Sequence, residues 1–138
     1  MTPDEALARF LDARVAHLAT ADGRAVPHIV PITFAVDATR IVTAVDAKPK
    51  RDGHLRRLNN IAANPAVSLL VDEYDEAWSR LWWARADGVA SILDGGPDRI
   101  RALELLRARY PQYETVAIDG PVIAVDVTRW SGWIAGGR

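Results

Sequence analysis

The sequence predicts a mostly β fold, a small antiparallel barrel of six strands with helices at its periphery. Runs of β-branched residues follow one another with turn residues between them, which is typical of antiparallel strands and disfavours the regular strand–helix alternation of a doubly wound α/β fold. Apolar residues at helical spacing occur near the N-terminus, after the third strand and before the last strand. A chain of 138 residues has the length of one domain, and we assign residues 1–138 to it.

The first predicted element is a helix. Thr2 suits the N-cap, Pro3 suits the first helical position, and Glu5 follows Thr2 at the spacing of a capping box. Its core-facing stripe is expected to comprise Leu7, Phe10, Leu11 and Val15.

Three strands follow this helix. Residues 17–20 lead into Asp22-Gly23, a pair that favours the positive backbone angles of a tight hairpin turn. Residues 25–36 form the second strand and include Pro27 and Pro31. Because proline cannot donate to a sheet ladder, this strand is expected to lie at an edge or to bend, which exposes backbone that a ligand can use. Residues 41–45 form the third strand.

In the second half of the chain, predicted helices and strands follow one another. A helix is predicted over 54–63, followed by strands over 66–72 and 82–93. Another helix begins near Gly95 and ends at Pro111, and the last strand covers residues 122–128. The core-facing residues of the helix that begins near Gly95 are expected to be Ile100, Leu103, Leu106 and Tyr110.

Composition excludes several classes of function. There is no cysteine, and therefore no disulfide, thiolate nucleophile or cysteine-ligated metal. A net charge of −1 argues against general nucleic-acid binding, which needs a basic face. No apolar run is long enough to cross a membrane, so a soluble, cytoplasmic protein is expected. His17, His28 and His54 are too scattered to predict a metal site.

A basic segment stands out in this nearly neutral chain. Its cations are Lys48, Lys50, Arg51, Arg56 and Arg57, at the entrance and first turns of the helix after the third strand. Free N–H groups and the helix dipole favour an anion at a helix start, and phosphate is the obvious candidate. A solvated loop whose charge is balanced by acids elsewhere fits the charge alone equally well.

Tryptophan is the second unusual feature, since half of the ten aromatic residues are Trp. Neighbouring residues of a strand point to opposite faces, so Trp82 and Trp83 cannot both face the core. We expect Trp83 to face a ligand pocket or a partner chain, with core packing as the alternative.

Several segments in this order resemble the split β-barrel flavin and deazaflavin oxidoreductases related to pyridoxamine 5'-phosphate oxidase. Together they are similar to the actinobacterial branch that uses the deazaflavin coenzyme F-420. The segments that carry the resemblance are Pro27 to Phe34, Asp46 to Arg51, Leu55 to Leu58, Ile61 to Asp72, and Trp82-Trp83. The resemblance implies an FMN-binding-like split barrel that forms a homodimer with cofactor sites at the subunit interface.

The resemblance also implies which residues hold the cofactor. Its phosphate would be bound by Lys48, Lys50, Arg56 and Arg57. Its ring would lie against the second and third strands, at His28, Ile29, Val30 and Pro31 and at Thr43, Ala44 and Val45. Tail residues Trp130 and Trp133 are placed to close the partner's site.

The activity implied is hydride transfer from F-420 to a small conjugated organic substrate, a step whose chemistry belongs to the cofactor. No catalytic side chain is identified in the sequence. Two alternatives remain: an FMN-dependent oxidase or reductase of the same fold, and a non-catalytic protein that binds flavin, deazaflavin or haem.

Overall fold

The structure is a computed structural model and describes residues 1–45 and 52–136. These residues form three α-helices and a sheet of seven strands in which every neighbouring pair is antiparallel. The helices are α1 (Pro3–Asp12), α2 (Asp52–Ala63) and α3 (Pro97–Arg109). The strands are β1 (Ala16–Ala21), β2 (Pro27–Ile32), β3 (Ala35–Asp37), β4 (Arg40–Ala44), β5 (Ala66–Glu73), β6 (Trp82–Leu93) and β7 (Val122–Ile134). Short 3₁₀ turns cover Trp78–Arg80 and Pro111–Glu114.

The strand order is β2-β1-β5-β6-β7-β4-β3. β2 and β3 are therefore the two edges of the sheet, yet only Thr33 and Phe34 separate them in the chain. Two residues can connect opposite edges only if the sheet curls until those edges meet. The hydroxyl of Thr43 in β4 donates to the carbonyl oxygen of Thr33 at 2.7 Å across this junction. We call the place where the two edges meet the seam.

The prediction of six strands was wrong. Residues 25–36 do not form one strand, because the chain leaves β2 after Ile32 and pairs again as β3 on the other side of the seam. The prediction that this run lies at an edge or bends is confirmed for an edge, since among the described strands β2 pairs with β1 alone, and Pro27 and Pro31 lie within β2. β7 also continues past residue 128, to Ile134, beside the whole length of β6.

The turn between β1 and β2 differs from the predicted Asp-Gly hairpin. Ala25, with φ of 64°, holds the left-handed conformation that we expected near Gly23. The carboxylate of Asp22 organises this longer turn by accepting from the N–H groups of Arg24 (2.8 Å) and Val26 (3.0 Å). These backbone hydrogen bonds lower the pKa of Asp22.

The predicted α1 is confirmed, with both hydrogen bonds of the capping box between Thr2 and Glu5. Its core-facing stripe is narrower than predicted. Phe10 is fully buried and packs edge-on against Phe34 and Trp130. Leu11 and Val15 are 52% and 51% exposed, because Leu11 is turned about 100° around the helix from Phe10 and Val15 follows the end of the helix at Asp12. On α3, Ile100 is likewise exposed, whereas Leu103, Leu106 and Tyr110 are buried as predicted.

α2 is attached to the barrel by a buried polar contact. The side-chain amide of Asn60 donates to the hydroxyl of Thr20 in β1 at 3.1 Å, and both residues are less than 5% exposed. Ile61 packs beside them in the core. This contact sets the position of α2, and with it that of Arg56 and Arg57. None of the helices in the described ranges is both long and apolar enough to span a membrane.

Candidate functional site

A cleft of about 230 Å³ opens at the seam. It brings together the end of β2, the end of β4, one residue of α2 and the segment that follows α3. We call it the seam cleft. Its lining residues are Pro31, Ile32, Thr33, Thr43, Ala44, Arg57, Tyr113, Ala117 and Ile118. The fold thus joins in one place residues from β2, β4 and α2 that the sequence placed in a cofactor site.

Positive charge is concentrated on the α2 side of this cleft. Arg57 lines it, and Arg56 precedes Arg57 on the same helix. His28 of β2 lies close enough for both guanidinium groups to act on it. Burial, followed by the charges of Arg56 and Arg57, lowers the pKa of His28. The His28 ring is therefore mainly neutral near pH 7. Lys48 and Lys50, the other two predicted phosphate ligands, lie outside the described residues.

The predicted ring-binding residues differ in what they present to the cleft. Pro31, Thr43 and Ala44 line it. Val45 is fully buried in the core. Val30 is partly buried and packs against the same core. Ile29 is 63% exposed and points to the opposite side of β2 from Val30.

Trp83 lies away from the seam cleft within one chain. It is paired across strands with Trp133, and the guanidinium carbon of Arg85 lies 5.7 Å from the centre of its ring. Trp82, its neighbour, packs against the core and under the guanidinium of Arg9. The prediction that the two indoles cannot both face inward is confirmed.

Trp83 belongs to a broad outer face of the sheet, on the side away from the core. Cross-strand register places on this face Ala19, Ile29, Ser68, Leu70, Trp83, Arg85, Asp87 and Trp133. Asp87 accepts from the hydroxyl of Ser68 at 2.6 Å and from Arg85 Nε at 3.2 Å. An open depression of about 560 Å³ lies on the same face and is lined by Ala19, Ser68, Asp87 and Val89 among others.

Sequence reasoning missed Thr33 and Tyr113. Their hydroxyl oxygens are 2.7 Å apart, and both residues line the seam cleft. Thr33 was read as the interior of a strand. Tyr113 comes from the turn after α3, eighty residues further along the chain. The cluster of aromatic residues around Pro111 was the available signal, but nothing in the sequence connects it to β2.

Comparisons with known proteins agree with this architecture. A family model described as pyridoxamine 5'-phosphate oxidase matches residues 2–134. No curated protein matches the chain in sequence.

Solved structures match over nearly the whole chain at low identity. The conserved hypothetical protein Rv2991 of Mycobacterium tuberculosis is 21% identical, with a TM-score of 0.76 over 97% of this chain and 85% of its own. A FAD-binding protein of Mesorhizobium loti is 22% identical, with a TM-score of 0.70 over 96% and 94%. The heme storage protein HutZ of Vibrio cholerae is 15% identical, with a TM-score of 0.71 over 96% and 94%. At these identities the likeness is one of fold.

Proposed function

Because the chain belongs to the pyridoxamine 5'-phosphate oxidase family, we propose that it binds a phosphate-bearing, flavin-type cofactor at the seam cleft. The preferred cofactor is coenzyme F-420, and the proposed reaction is hydride transfer from it to a small conjugated organic substrate. The observation that supports the proposal most is the convergence of the β2 edge, the end of β4 and Arg57 on one cleft. These parts come from three separate segments of the chain.

The phosphate is assigned to the α2 side of the cleft. A guanidinium offers two parallel N–H groups to phosphate oxygens, and Arg56 and Arg57 are consecutive on a helix whose N-terminal end also attracts anions. Lys48 and Lys50 belong to the same proposed set of phosphate ligands, as the sequence indicated. His28 adds a neutral ring whose pKa is lowered by burial and then by the charges of the same two arginines. A bound phosphate would offset their charge.

The ring is assigned to the cleft between β2 and β4. One edge of β2 has no strand partner in the described ranges of the chain, so backbone groups of this strand are available to a ring with polar edges. Pro31 and Ala44 supply apolar surface beside it. When bound, the cofactor supplies the hydride chemistry. The chain's own tasks are to bind and orient the ring and to exclude water from it.

A homodimer completes the site in this proposal. A volume of about 230 Å³ is below the range of about 300–1,000 Å³ that organic ligand sites usually have. One chain therefore accounts for only part of a flavin-sized site. The outer face exposes Ile29, Trp133 and Val89, an apolar surface that a second copy is suited to cover. Residues such as Trp83 would then contact the cofactor of the partner.

The decisive experiment is a fluorescence titration of the purified protein with F-420 and, separately, with FMN. Wild type is compared with Lys50→Ala and Arg57→Ala. Loss of one charged hydrogen bond to phosphate costs about 1.5–3 kcal/mol, so we expect each variant to bind roughly ten to a hundred times more weakly. Arg80→Ala is the matched control, because the Arg80 side chain is 75% exposed in the turn before β6. Unchanged cofactor affinity in both test variants would refute the proposed phosphate contacts.

The same titration separates the alternatives on this fold. Tight binding of FMN without binding of F-420 would move the assignment to an FMN-dependent oxidase or reductase. F-420 binding without oxidation of the reduced cofactor by a broad panel of acceptors would make the protein a carrier. Haem binding would appear as a Soret band, and its persistence in a His28→Ala variant would exclude His28 as the iron ligand.

A further inference from the structure

We propose that a second cleft, beside the seam cleft, is a binding site for a planar aromatic molecule that carries an anionic group. Its volume is about 420 Å³, within the usual range for small-molecule sites. It lies between the end of α1 and the turn after α3, and we call it the α1 cleft. Its lining includes Arg14, Val15, Tyr110, Gln112, Tyr113 and Val116.

The floor of the α1 cleft is rigid. Tyr110 is only 5% exposed, and its hydroxyl accepts from the backbone N–H of Phe34 at 3.1 Å. The same hydroxyl is placed to donate to the carbonyl oxygen of Arg14 at 2.9 Å or of Phe34 at 3.0 Å. Its ring packs edge-on against Tyr113, with ring centres 6.0 Å apart. Tyr110 is thus almost wholly covered, and it holds Tyr113, whose partly exposed ring is the aromatic surface that a flat aromatic ligand can meet.

The walls of the cleft are apolar and open. Val15 and Val116 are 51% and 42% exposed, although each is large enough to gain from being covered. They lie on different segments, one after α1 and one after α3, and both border the cleft. A ring placed in the cleft against Tyr113 would lie beside both valines. That contact supplies the apolar part of the recognition.

The charge at the cleft is positive. The guanidinium of Arg14 lies 4.6 Å from the centre of the Tyr110 ring and donates one hydrogen bond, to the carbonyl oxygen of Arg109. A guanidinium has five N–H donors, so this bond leaves donors for an anion. The guanidinium of Arg109 is also close, 5.7 Å from the same ring. None of the described residues that line the cleft is acidic. Carboxylate, sulfonate and phosphate share the chemistry that such a site recognises.

The α1 cleft and the seam cleft share a wall. Thr33 and Tyr113 line both, and their hydroxyl oxygens are 2.7 Å apart. A molecule in the α1 cleft and a molecule in the seam cleft would therefore contact opposite sides of the same pair. A hydride passes only between atoms in direct contact, so the α1 cleft is a second site, separate from the place where the cofactor ring is proposed to lie. The aromatic anion site does not rest on the proposed function.

The test uses 1-anilinonaphthalene-8-sulfonate, a fluorescent aromatic sulfonate, titrated into the purified wild-type protein and its variants. Val116→Trp fills the cleft, and Arg14→Gln removes the charge. We expect about tenfold or greater loss of dye affinity in each, with Arg14→Lys retaining more affinity than Arg14→Gln. Because Arg14 is exposed, its variants are expected to fold even if Val116→Trp does not. Ile100→Trp is the control, because Ile100 is also exposed but lies on α3 and does not line the cleft.

Dye affinity that is unchanged in both Val116→Trp and Arg14→Gln would overturn the proposal. Loss of affinity in Ile100→Trp alone would overturn it too, since the dye would then bind on α3. Failure of the proposed function has a different signature. In that case neither F-420 nor FMN binds, while the dye still responds to Arg14. If both proposals hold, Arg57→Ala loses cofactor affinity and keeps dye affinity.

Discussion

The surroundings of His28 disfavour the protonated form of its ring. Its ring is partly buried in β2, and the charges of Arg56 and Arg57 act on it from α2. Its Nδ1 atom is buried and has no hydrogen-bond partner within the described part of the chain. All three features oppose a positive charge on the ring. An anion bound beside the two arginines would reduce that opposition.

The lowered pKa of His28 predicts a dependence of stability on pH. In the unfolded chain the imidazole takes up a proton near pH 6.5, whereas the folded protein resists protonation until lower pH. The free energy of unfolding should therefore fall as the pH drops below 6.5 and level off below the folded pKa. Urea unfolding at about pH 7.5 and about pH 5.5 measures this change. A His28→Gln variant should have a smaller difference between the two.

NMR titration of the His28 ring checks the same claim directly. The free protein should give an apparent pKa below 6.5. Saturation with the proposed cofactor should raise it, because the phosphate offsets the charges of Arg56 and Arg57. A pKa above 6.5 in the free protein would contradict the description of this residue.

For single residues, the sequence indicated where positive charge is concentrated but did not indicate which side chains contact one another. The arginines of α2 were identified from their density in a nearly neutral chain. His28 was included only through the family resemblance. Thr33 and Tyr113 were missed because their contact joins positions eighty residues apart. Such a pair has no local pattern, since it depends on how the turn after α3 packs against the seam.

α2 is the element on which the proposed phosphate grip depends. It carries Arg56 and Arg57, and the Asn60–Thr20 hydrogen bond attaches it to β1. Both partners of that bond are buried, so neither can exchange it for water. The contact therefore fixes the depth and rotation of the helix beside β2.

Replacing Asn60 by Leu should loosen this attachment. It leaves the hydroxyl of Thr20 buried without its partner, which costs about 1–3 kcal/mol of stability. Cofactor affinity should fall as well, because the arginines lose their fixed position. Asn59→Leu is the matched control: Asn59 is exposed, and a surface change of this kind usually alters stability by less than about 0.5 kcal/mol. Equal effects of the two substitutions on denaturant unfolding would show that the buried contact is unimportant.

Helices and strands were predictable from local signals, whereas the division of residues 25–36 into two strands was not. Capping residues and apolar spacing identified α1, α2 and α3, and β-branched runs identified the strands. The prolines of β2 correctly indicated an edge. They could not indicate that the next residues, Ala35–Asp37, pair with β4 on the opposite edge. That division depends on closure of the barrel, which is a property of the whole sheet.

The whole molecule is a curled sheet with one exposed face, and the homodimer is proposed on that face. Ile29 is central to the test, since it lies on the outer face and is 63% exposed. Ile29→Lys places a charge where the second copy would pack, so we expect the variant to be monomeric and to bind cofactor weakly. Ile100→Lys is the matched control, because Ile100 is 59% exposed but lies on α3.

Analytical ultracentrifugation measures the outcome. Wild type and Ile100→Lys should sediment as dimers, and Ile29→Lys as a monomer. A monomeric wild type that still binds cofactor with full affinity would contradict the shared site. So would a dimer that is unaffected by the charge at Ile29, because the interface would then lie elsewhere.

The most direct test of the central claim is a crystal structure of the protein with F-420 bound. We expect the phosphate within hydrogen-bonding distance of Arg57 and the ring in the seam cleft between β2 and β4, with a second copy of the chain covering it. A cofactor bound at the outer-face depression or in the α1 cleft, with its phosphate away from α2, would refute the proposed cofactor site.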